Sequence, residues 1–250
     1  MEDKILVSSF SAHVRQLVIN RPQQRNALDR QTYQLLTQEL TAADANDDIR
    51  VIVLSGQGGC FTAGNDLKDF TEKKFLDQEE RSFGLQLLLT LHAMKKPVIA
   101  AVEGYAVGIG TTMLNHCDLA YCGNSARFRL PFSLLGLSPE GGSTFYLPLA
   151  AGYKKAAELL WFGDFFTAED AHQFRLINEI VDDNTATQHA LEKAERLAGL
   201  PFQSVLTTKK MLKSRNFALI ETILEDEAKI FHKLRVSDEA QTIIANFFRK

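Results

Sequence analysis

The sequence predicts an α/β core followed by an all-helical C-terminal region. Short continuous apolar runs such as Val51-Ile52-Val53-Leu54 alternate with segments of helical period. The connections between successive runs span a dozen residues or more, as parallel crossovers require. From Thr185 onward no β-rich run occurs, and segments of helical period follow one another. These observations divide the 250 residues into a core at 1–190 and a helical region at 191–250, one good-sized core with an appendage.

Taken in order, Ile5 to Phe10 and Val14 to Ile19 are branched-residue runs separated by Ser11-Ala12-His13, which suits a hairpin. Asn20-Arg21-Pro22 breaks the pattern. Asp29 then caps a helix whose apolar positions are Tyr33, Leu36 and Leu40. Arg50 to Ser55 reads as a strand buried on both faces, and a loop of small residues, Gly56 to Asp66, follows it. Thr71 to Arg81 is charged and weakly periodic, the pattern of a mobile surface segment bordering a pocket. Ser82 to Met94 forms a helix that Pro97 terminates. Val98 to Val102 is a second buried strand, Glu103-Gly104-Tyr105 its turn, and Gly108 to His116 a short helix. Leu119 to Cys122 and Ala126 to Leu130 are further strands, and Trp161 with Phe162, Phe165 and Phe166 fills a helix–helix contact. Helices are expected at Thr185 to Leu197, Ser204 to Lys213, Phe217 to Val236 and Ser237 to Phe248. The apolar face of the last one, with Ile243 and Ile244, packs either on the core or on a neighbouring subunit.

Composition excludes several classes of function. With 28 basic against 31 acidic residues and no long basic run, nucleic acid and anionic membrane are not expected partners. Pro97 to Leu114 is the most apolar stretch, but Glu103 and three glycines argue for strand, turn and helix, not a membrane span. Cys60, Cys117 and Cys122 form no C-x-x-C pair, which reads as reduced thiols. Met1-Glu2-Asp3-Lys4 lacks a basic n-region, and Phe248-Arg249-Lys250 is not a Ser-Lys-Leu address, so a cytoplasmic protein is expected.

Two loops carry chemical content. Gly58 to Leu67 and Ala101 to Thr112 each place glycines just after a buried strand, where a backbone N–H can approach a ligand closely. An ordinary strand-to-helix turn has the same composition. Gly110-Thr111-Thr112 lacks the lysine of a P-loop, and Gly108-Ile109-Gly110 lacks the third glycine of a dinucleotide fingerprint. Two converging N–H groups are what an oxyanion site requires. In Leu135 to Gly142, Glu140 is a candidate proton carrier, while Ser138 as N-cap, Pro139 at the first helical position and Glu140 in the first turn equally describe a helix start. His116, Cys117 and Cys122 lack the second ligand pair of a zinc site. Asp118 reads as a structural acid, and no Gly-x-Ser-x-Gly elbow is present.

Asn20-Arg21-Pro22 through Asn26-Ala27-Leu28, then Phe61-Thr62-Ala63-Gly64-Asn65-Asp66-Leu67, Gly104 to Gly110 and Cys117-Asp118-Leu119-Ala120 closely resemble the successive signatures of the crotonase (enoyl-CoA hydratase/isomerase) superfamily. The likeness runs over essentially the whole chain. It implies an α/β spiral of repeated strand-strand-helix turns, a C-terminal helical region used for trimerisation, and a homotrimer or dimer of trimers. It also implies an acyl-CoA thioester substrate whose carbonyl sits between the N–H groups of Asn65 and Ile109. Most members have glycine where this chain has Ile109, which narrows the pocket. The CoA moiety would lie along Arg25, Ala27, Ala63, Gly64, Asn65, Asp66, Leu67 and Lys68, with Lys209 and Lys210 as further cations.

The two glutamates of the family's hydratases correspond to Thr112 and Phe132, neither suited to proton transfer. Glu140 falls where delta-3, delta-2-enoyl-CoA isomerases of the peroxisomal type keep their catalytic glutamate. The resemblance therefore implies isomerisation of a 3-enoyl-CoA to the trans-2 isomer by one carboxyl, with no cofactor beyond the CoA of the substrate and no metal. A hydratase, another crotonase reaction and a non-catalytic acyl-CoA-binding protein are the alternatives.

Overall fold

In the computed structural model, which describes residues 3–71 and 82–247, a hairpin opens the chain. Strand β1 (Ile5–Ser9) pairs antiparallel with β2 (Val14–Ile19), Ile5 opposite Ile19. Helix α1 (Arg30–Ala45) starts where Asp29 accepts the Thr32 N–H, the N-cap read from the sequence. It crosses to β3 (Val51–Gly56), which lies parallel to β2. The chain then turns through α2 (Lys68–Thr71) and α3 (Phe83–Ala93) to β4 (Val98–Val102), parallel to β3.

Next come β5 (Tyr105–Val107), α4 (Ile109–Thr112) and β6 (Leu119–Gly123), and β6 again lies parallel to β4. They are followed by β7 (Arg127–Arg129), α5 (Ser143–Ala151), α6 (Tyr153–Phe162), β8 (Phe165–Thr167), α7 (Ala168–Gln173) and β9 (Glu179–Val181). The large sheet has the order β1-β2-β3-β4-β6-β9, and β5-β7-β8 form a small second sheet. Isolated parallel bridges, Leu28 to Asn65 and Thr62 to Ala106, continue that second layer between turns. Each turn of the chain thus supplies one long strand, one short extended piece and one helix, the expected spiral.

Both faces of the large sheet are covered, which explains the unbroken apolar run of β3. Ile52 and Leu54 point to the side packed by α1 and α3, where Tyr33, Leu36, Leu40, Leu88 and Leu91 are buried. Val51 and Val53 point to the other side. There α8 (Ala186–Ala198) lies on the sheet through Ala186, Ala190, Ala194 and Ala198, a stripe of small residues that brings the backbones close. Its first N–H, on Ala186, donates to the Glu103 carboxylate at 2.8 Å. The 190/191 boundary drawn from the sequence falls inside this helix.

The expected helix–helix contact around Trp161 is a correction. Gly163 closes α6, and the phenylalanines that follow alternate with a period of two. Phe166 is buried and stacks on Phe128 at 5.5 Å, whereas Phe165, Trp161 and Phe162 are exposed. Strands β5, β8 and β9, each of three residues, also went unseen in the sequence.

The C-terminal helices are α9 (Phe202–Ser214), α10 (Phe217–Arg235) and α11 (Asp238–Phe247). Of the two surfaces open to the last helix, the structure selects its own core: Ala240 and Ile244 are fully buried, with Ala240 against Gly136. Most of the segment expected to be mobile, 72–81, lies outside the described residues. No described helix is long and apolar enough to cross a membrane.

Helix α9 is tied down by Lys209, whose ammonium donates to Asp118 at 2.7 Å and to the Lys96 carbonyl at 2.7 Å. Lys209→Met should strand the Asp118 charge and cost about 3 kcal/mol. Urea unfolding checks this, and a loss under about 0.5 kcal/mol, typical of a surface pair, would refute it.

Candidate functional site

The two glycine-rich strand ends meet. The Thr62 N–H donates to the Tyr105 carbonyl at 2.9 Å, and the Val107 N–H returns to the Thr62 carbonyl at 3.1 Å. Gly64 has φ of 85°, and a β-carbon there would stand 2.4 Å from the Val107 oxygen, so only glycine fits. A β-carbon on Gly110 would lie 2.5 Å from the Thr62 methyl. This packing sets the Asn65 and Ile109 amides on adjoining loops. Among the described residues neither N–H has a hydrogen-bond acceptor. The Ile109 side chain is fully buried, and its Cδ1 lies 3.3 Å from where a Gly84 β-carbon would stand.

Glu140 does not begin a helix, contrary to the alternative that Ser138-Pro139-Glu140 allowed. Gly141 and Gly142 follow it with φ of 74° and 72°, and α5 begins only at Ser143. The left-handed pair turns the chain where a helix start would need right-handed residues. Ser138 Oγ is buried without a partner, and Glu227, from α10, takes over the capping task. Its carboxylate accepts the Gly142 N–H at 2.7 Å, the Thr144 N–H at 3.0 Å and the Thr144 hydroxyl at 2.5 Å. On the other side, His116 Nε2 lies 3.0 Å from the Gly141 carbonyl. A carbonyl only accepts, so this nitrogen carries the hydrogen. Burial holds His116 neutral, with its pKa lowered to about 3.

Glu140 and Asn65 open into one cavity of about 650 Å³. Leu28 and Tyr33 form one wall, Phe70, Phe83 and Leu85 another, and α10 closes it with Ala228 and Phe231. Glu140 is 9% exposed, and its Oε1 has no hydrogen-bond partner. Burial pushes its pKa up to about 8, the Glu227 charge adds to the rise, and the Asn65 side chain opposes it. The Asn65 oxygen accepts the Tyr33 hydroxyl at 2.5 Å, which aims the Asn65 amide at the carboxyl. Burial, then the Glu140 charge, raises Tyr33 well above the ordinary phenol range, so it remains a donor.

Glu140 and Asn65, expected as site residues from the sequence, thus share one cavity with Tyr33, which was read only as an apolar helix position; Glu227, behind the turn, was not among the expected site residues. The signal for Glu227 was available: Ile220, Leu224 and Glu227 share the buried stripe of α10, and an acid there is out of place.

Of the residues expected along CoA, Asn65 and Asp66 line the cavity. The exposed Arg25 has φ of 49°, and its carbonyl accepts the Ala63 N–H at 2.9 Å. The Ala27 carbonyl accepts the Arg21 guanidinium. Asp66 pairs with Arg21 at 3.1 Å, a cation the sequence reading overlooked. Gly64 is buried, Leu67 half-buried and Lys68 exposed at the start of α2. Lys209 is removed from the list of cations for CoA, because it is buried against Asp118. Thr112 and Phe132 are both buried; Thr112 Oγ1 lacks a partner, and Phe132 meets Phe231 edge-on at 6.5 Å. Burial pushes the Cys117 and Cys122 thiols to about 12, which makes both inert. Among the described residues no three His, Cys, Asp or Glu side chains form a metal cluster.

Residues 9–250 match the family model described as enoyl-CoA hydratase/isomerase. Enoyl-CoA delta isomerase 2 of Homo sapiens is 31% identical over 98% of this chain, which spans 63% of that protein. The 2,3-dehydroadipyl-CoA hydratase of Escherichia coli K12 is 32% identical over 98% of this chain and 96% of its own length. Among solved structures, Pseudomonas aeruginosa OdaA superposes with a TM-score of 0.94 at 36% identity, covering all of both chains.

The raised Glu140 pKa has a consequence for stability. The fold favours the protonated carboxyl, so this contribution is complete below the ordinary 4.5 and is lost as pH rises through about 8. Glutamine mimics the neutral acid, so Glu140→Gln should gain stability relative to the parent between about pH 5 and about pH 8.5. Urea midpoints at both ends of that range test this, and a difference that does not grow with pH contradicts it.

Proposed function

The chain belongs to the enoyl-CoA hydratase/isomerase family, the crotonase superfamily, and from that premise we propose that it isomerises 3-enoyl-CoA to trans-2-enoyl-CoA with Glu140 as its proton carrier. One observation carries this reading: among the described residues a single carboxyl with a buried, unsatisfied oxygen, that of Glu140, faces the cavity, while Thr112 and Phe132 occupy the places of the two hydratase glutamates.

In the proposed step the Glu140 carboxylate removes a C2 proton. The electron pair delocalises onto the thioester oxygen, and the protonated carboxyl returns its proton to C4 as the double bond moves into conjugation. Both carbons lie on one face of the substrate, so one base serves twice. The growing charge on oxygen is met by the Asn65 and Ile109 N–H groups, each such donor being worth about 3 kcal/mol of barrier. A carboxyl whose pKa is raised to about 8 is a stronger base than an ordinary one once ionised. The step draws on no metal and no redox group.

The CoA moiety runs from Arg25 and Ala27 to Ala63, Gly64, Asp66, Leu67 and Lys68, outside the cavity that takes the acyl chain. Exposed apolar side chains on α5, α6 and β8, among them Leu149, Tyr153, Trp161 and Phe162, support self-association as a trimer or a dimer of trimers. The three free cysteines fit a reducing, cytoplasmic setting, and the reaction fits fatty-acid β-oxidation.

Coenzyme-A esters of 3-enoic and 2-enoic acids should be supplied side by side. Isomerisation of the first is expected to outpace hydration of the second, and the reverse order would assign the protein to the hydratases. Glu140→Gln should lower isomerase kcat by about 10³-fold or more while CoA-ester binding persists; unchanged turnover would point to a non-catalytic binder. In the parent protein, kcat/KM should climb with pH and level off above about 8. Sedimentation of the purified protein should give a trimer or its double, and a monomer at micromolar concentration would remove the assembly.

A further inference from the structure

The turn that carries Glu140 is gripped by buried side chains from two other elements. Gly141 is fixed through its carbonyl by His116, and Gly142 through its N–H by Glu227. Gly141 has no freedom on its third side either, since a β-carbon would stand 2.4 Å from Thr112 Oγ1. Of these contacts only the one to Glu227 brings a second carboxyl into the neighbourhood of Glu140. The two acids are unequally furnished. Glu227 collects three donors, two of them on Thr144, and lies at the N-terminal end of α5, all of which favours its anion. Glu140 Oε1 has none.

We infer that Glu227 is a positioning residue for Glu140: its carboxylate clamps the turn that presents the Glu140 side chain to the cavity and takes the first negative charge of the pair. The inference rests on Glu140 being the proton carrier. Two carboxyls within one buried region lose their protons in sequence, and the one with more donors ionises first. The order makes Glu140 the late-ionising, more basic member, in line with the contribution of Glu227 to its raised pKa. Burial raises Glu227 as well, and its three hydrogen bonds offset only part of that rise, whereas Glu140 has the Asn65 side chain alone to oppose its own.

Other charges face Glu140 across the cavity: Arg30 from α1, Asp66 and Asp69 from the loop and α2, and Glu225, Lys229, His232 and Arg235 from α10. Tyr33 faces it as a neutral phenol. Setting His232 aside, three cations stand against three anions, so this set is balanced in number. Glu227 is buried behind the turn and does not line the cavity wall, so substrate does not neutralise it.

Glu227→Gln keeps the size of the side chain and one acceptor while removing the charge. The Glu140 carboxyl, followed by carbon NMR of side-chain-labelled glutamate, should then titrate lower by about one pH unit or more. The rising limb of kcat/KM against pH should move by the same amount, and kcat on the alkaline plateau should fall with the weaker base. A purely structural Glu227 would lower kcat at every pH with the midpoint unmoved, and that result overturns the inference. Should Glu227→Gln not fold, spectra of the parent and of Glu140→Gln decide the matter. Loss of the late-titrating signal in Glu140→Gln supports the stated order, and loss of the early one overturns it. Because the NMR readout needs no turnover, a shifted titration in a protein without isomerase activity would retire the proposed reaction and leave the pair as described.

Discussion

Gly64 passes so near the Val107 carbonyl that no side chain can intervene, and the same holds for Gly110 against Thr62. These two approaches bring the ends of β3 and β4 together as neighbouring loops. Both free amides take their places from that contact, since Asn65 follows Gly64 and Ile109 precedes Gly110. The large sheet enforces the register, because β3 and β4 are locked in parallel with Ile52 opposite Val98 and Leu54 opposite Ala100. Burial of the sheet on both faces therefore reaches the site: a slip of one residue would send every β3 side chain into the opposite packed layer and part the loops together.

The carboxyl obeys a different logic. Three elements distant in sequence meet at the Glu140 turn: Thr112 and His116 beyond β5, the glycine pair before α5, and Glu227 on α10. The turn is not a helix start because two left-handed glycines interrupt it, and the helix that follows is completed by an acid 85 residues away. A similar loan occurs at α8, whose first N–H is satisfied by Glu103. Helices α5 and α8 are thus finished by side chains distant in sequence, whereas α1, α3 and α7 carry local caps at Asp29, Ser82 and Thr167.

Much of this was legible in the residues. The hairpin, the buried strands β3 and β4, the Asp29 cap and the C-terminal helices follow from periodicity and from Gly, Pro and Asp at the breaks. Short strands were not, because three residues such as Glu179–Val181 carry too little pattern to separate from a loop. Phe165-Phe166 misled because bulk alone does not tell helix from strand; the alternation of burial along β8 does. Asn65 was chosen for its backbone, yet its side chain bridges Tyr33 and Glu140. Tyr33 was hidden because a tyrosine on an apolar stripe looks like core, which it also is. Glu227 was hidden because nothing near it in sequence shares its task.

Helix α10 supplies both a wall of the cavity and the acid behind the Glu140 turn. Enclosure of the carboxyl and support of its turn therefore rest on one and the same helix. A local detachment of α10 would open the cavity, admit water to Glu140 and release the Gly142 N–H in a single event.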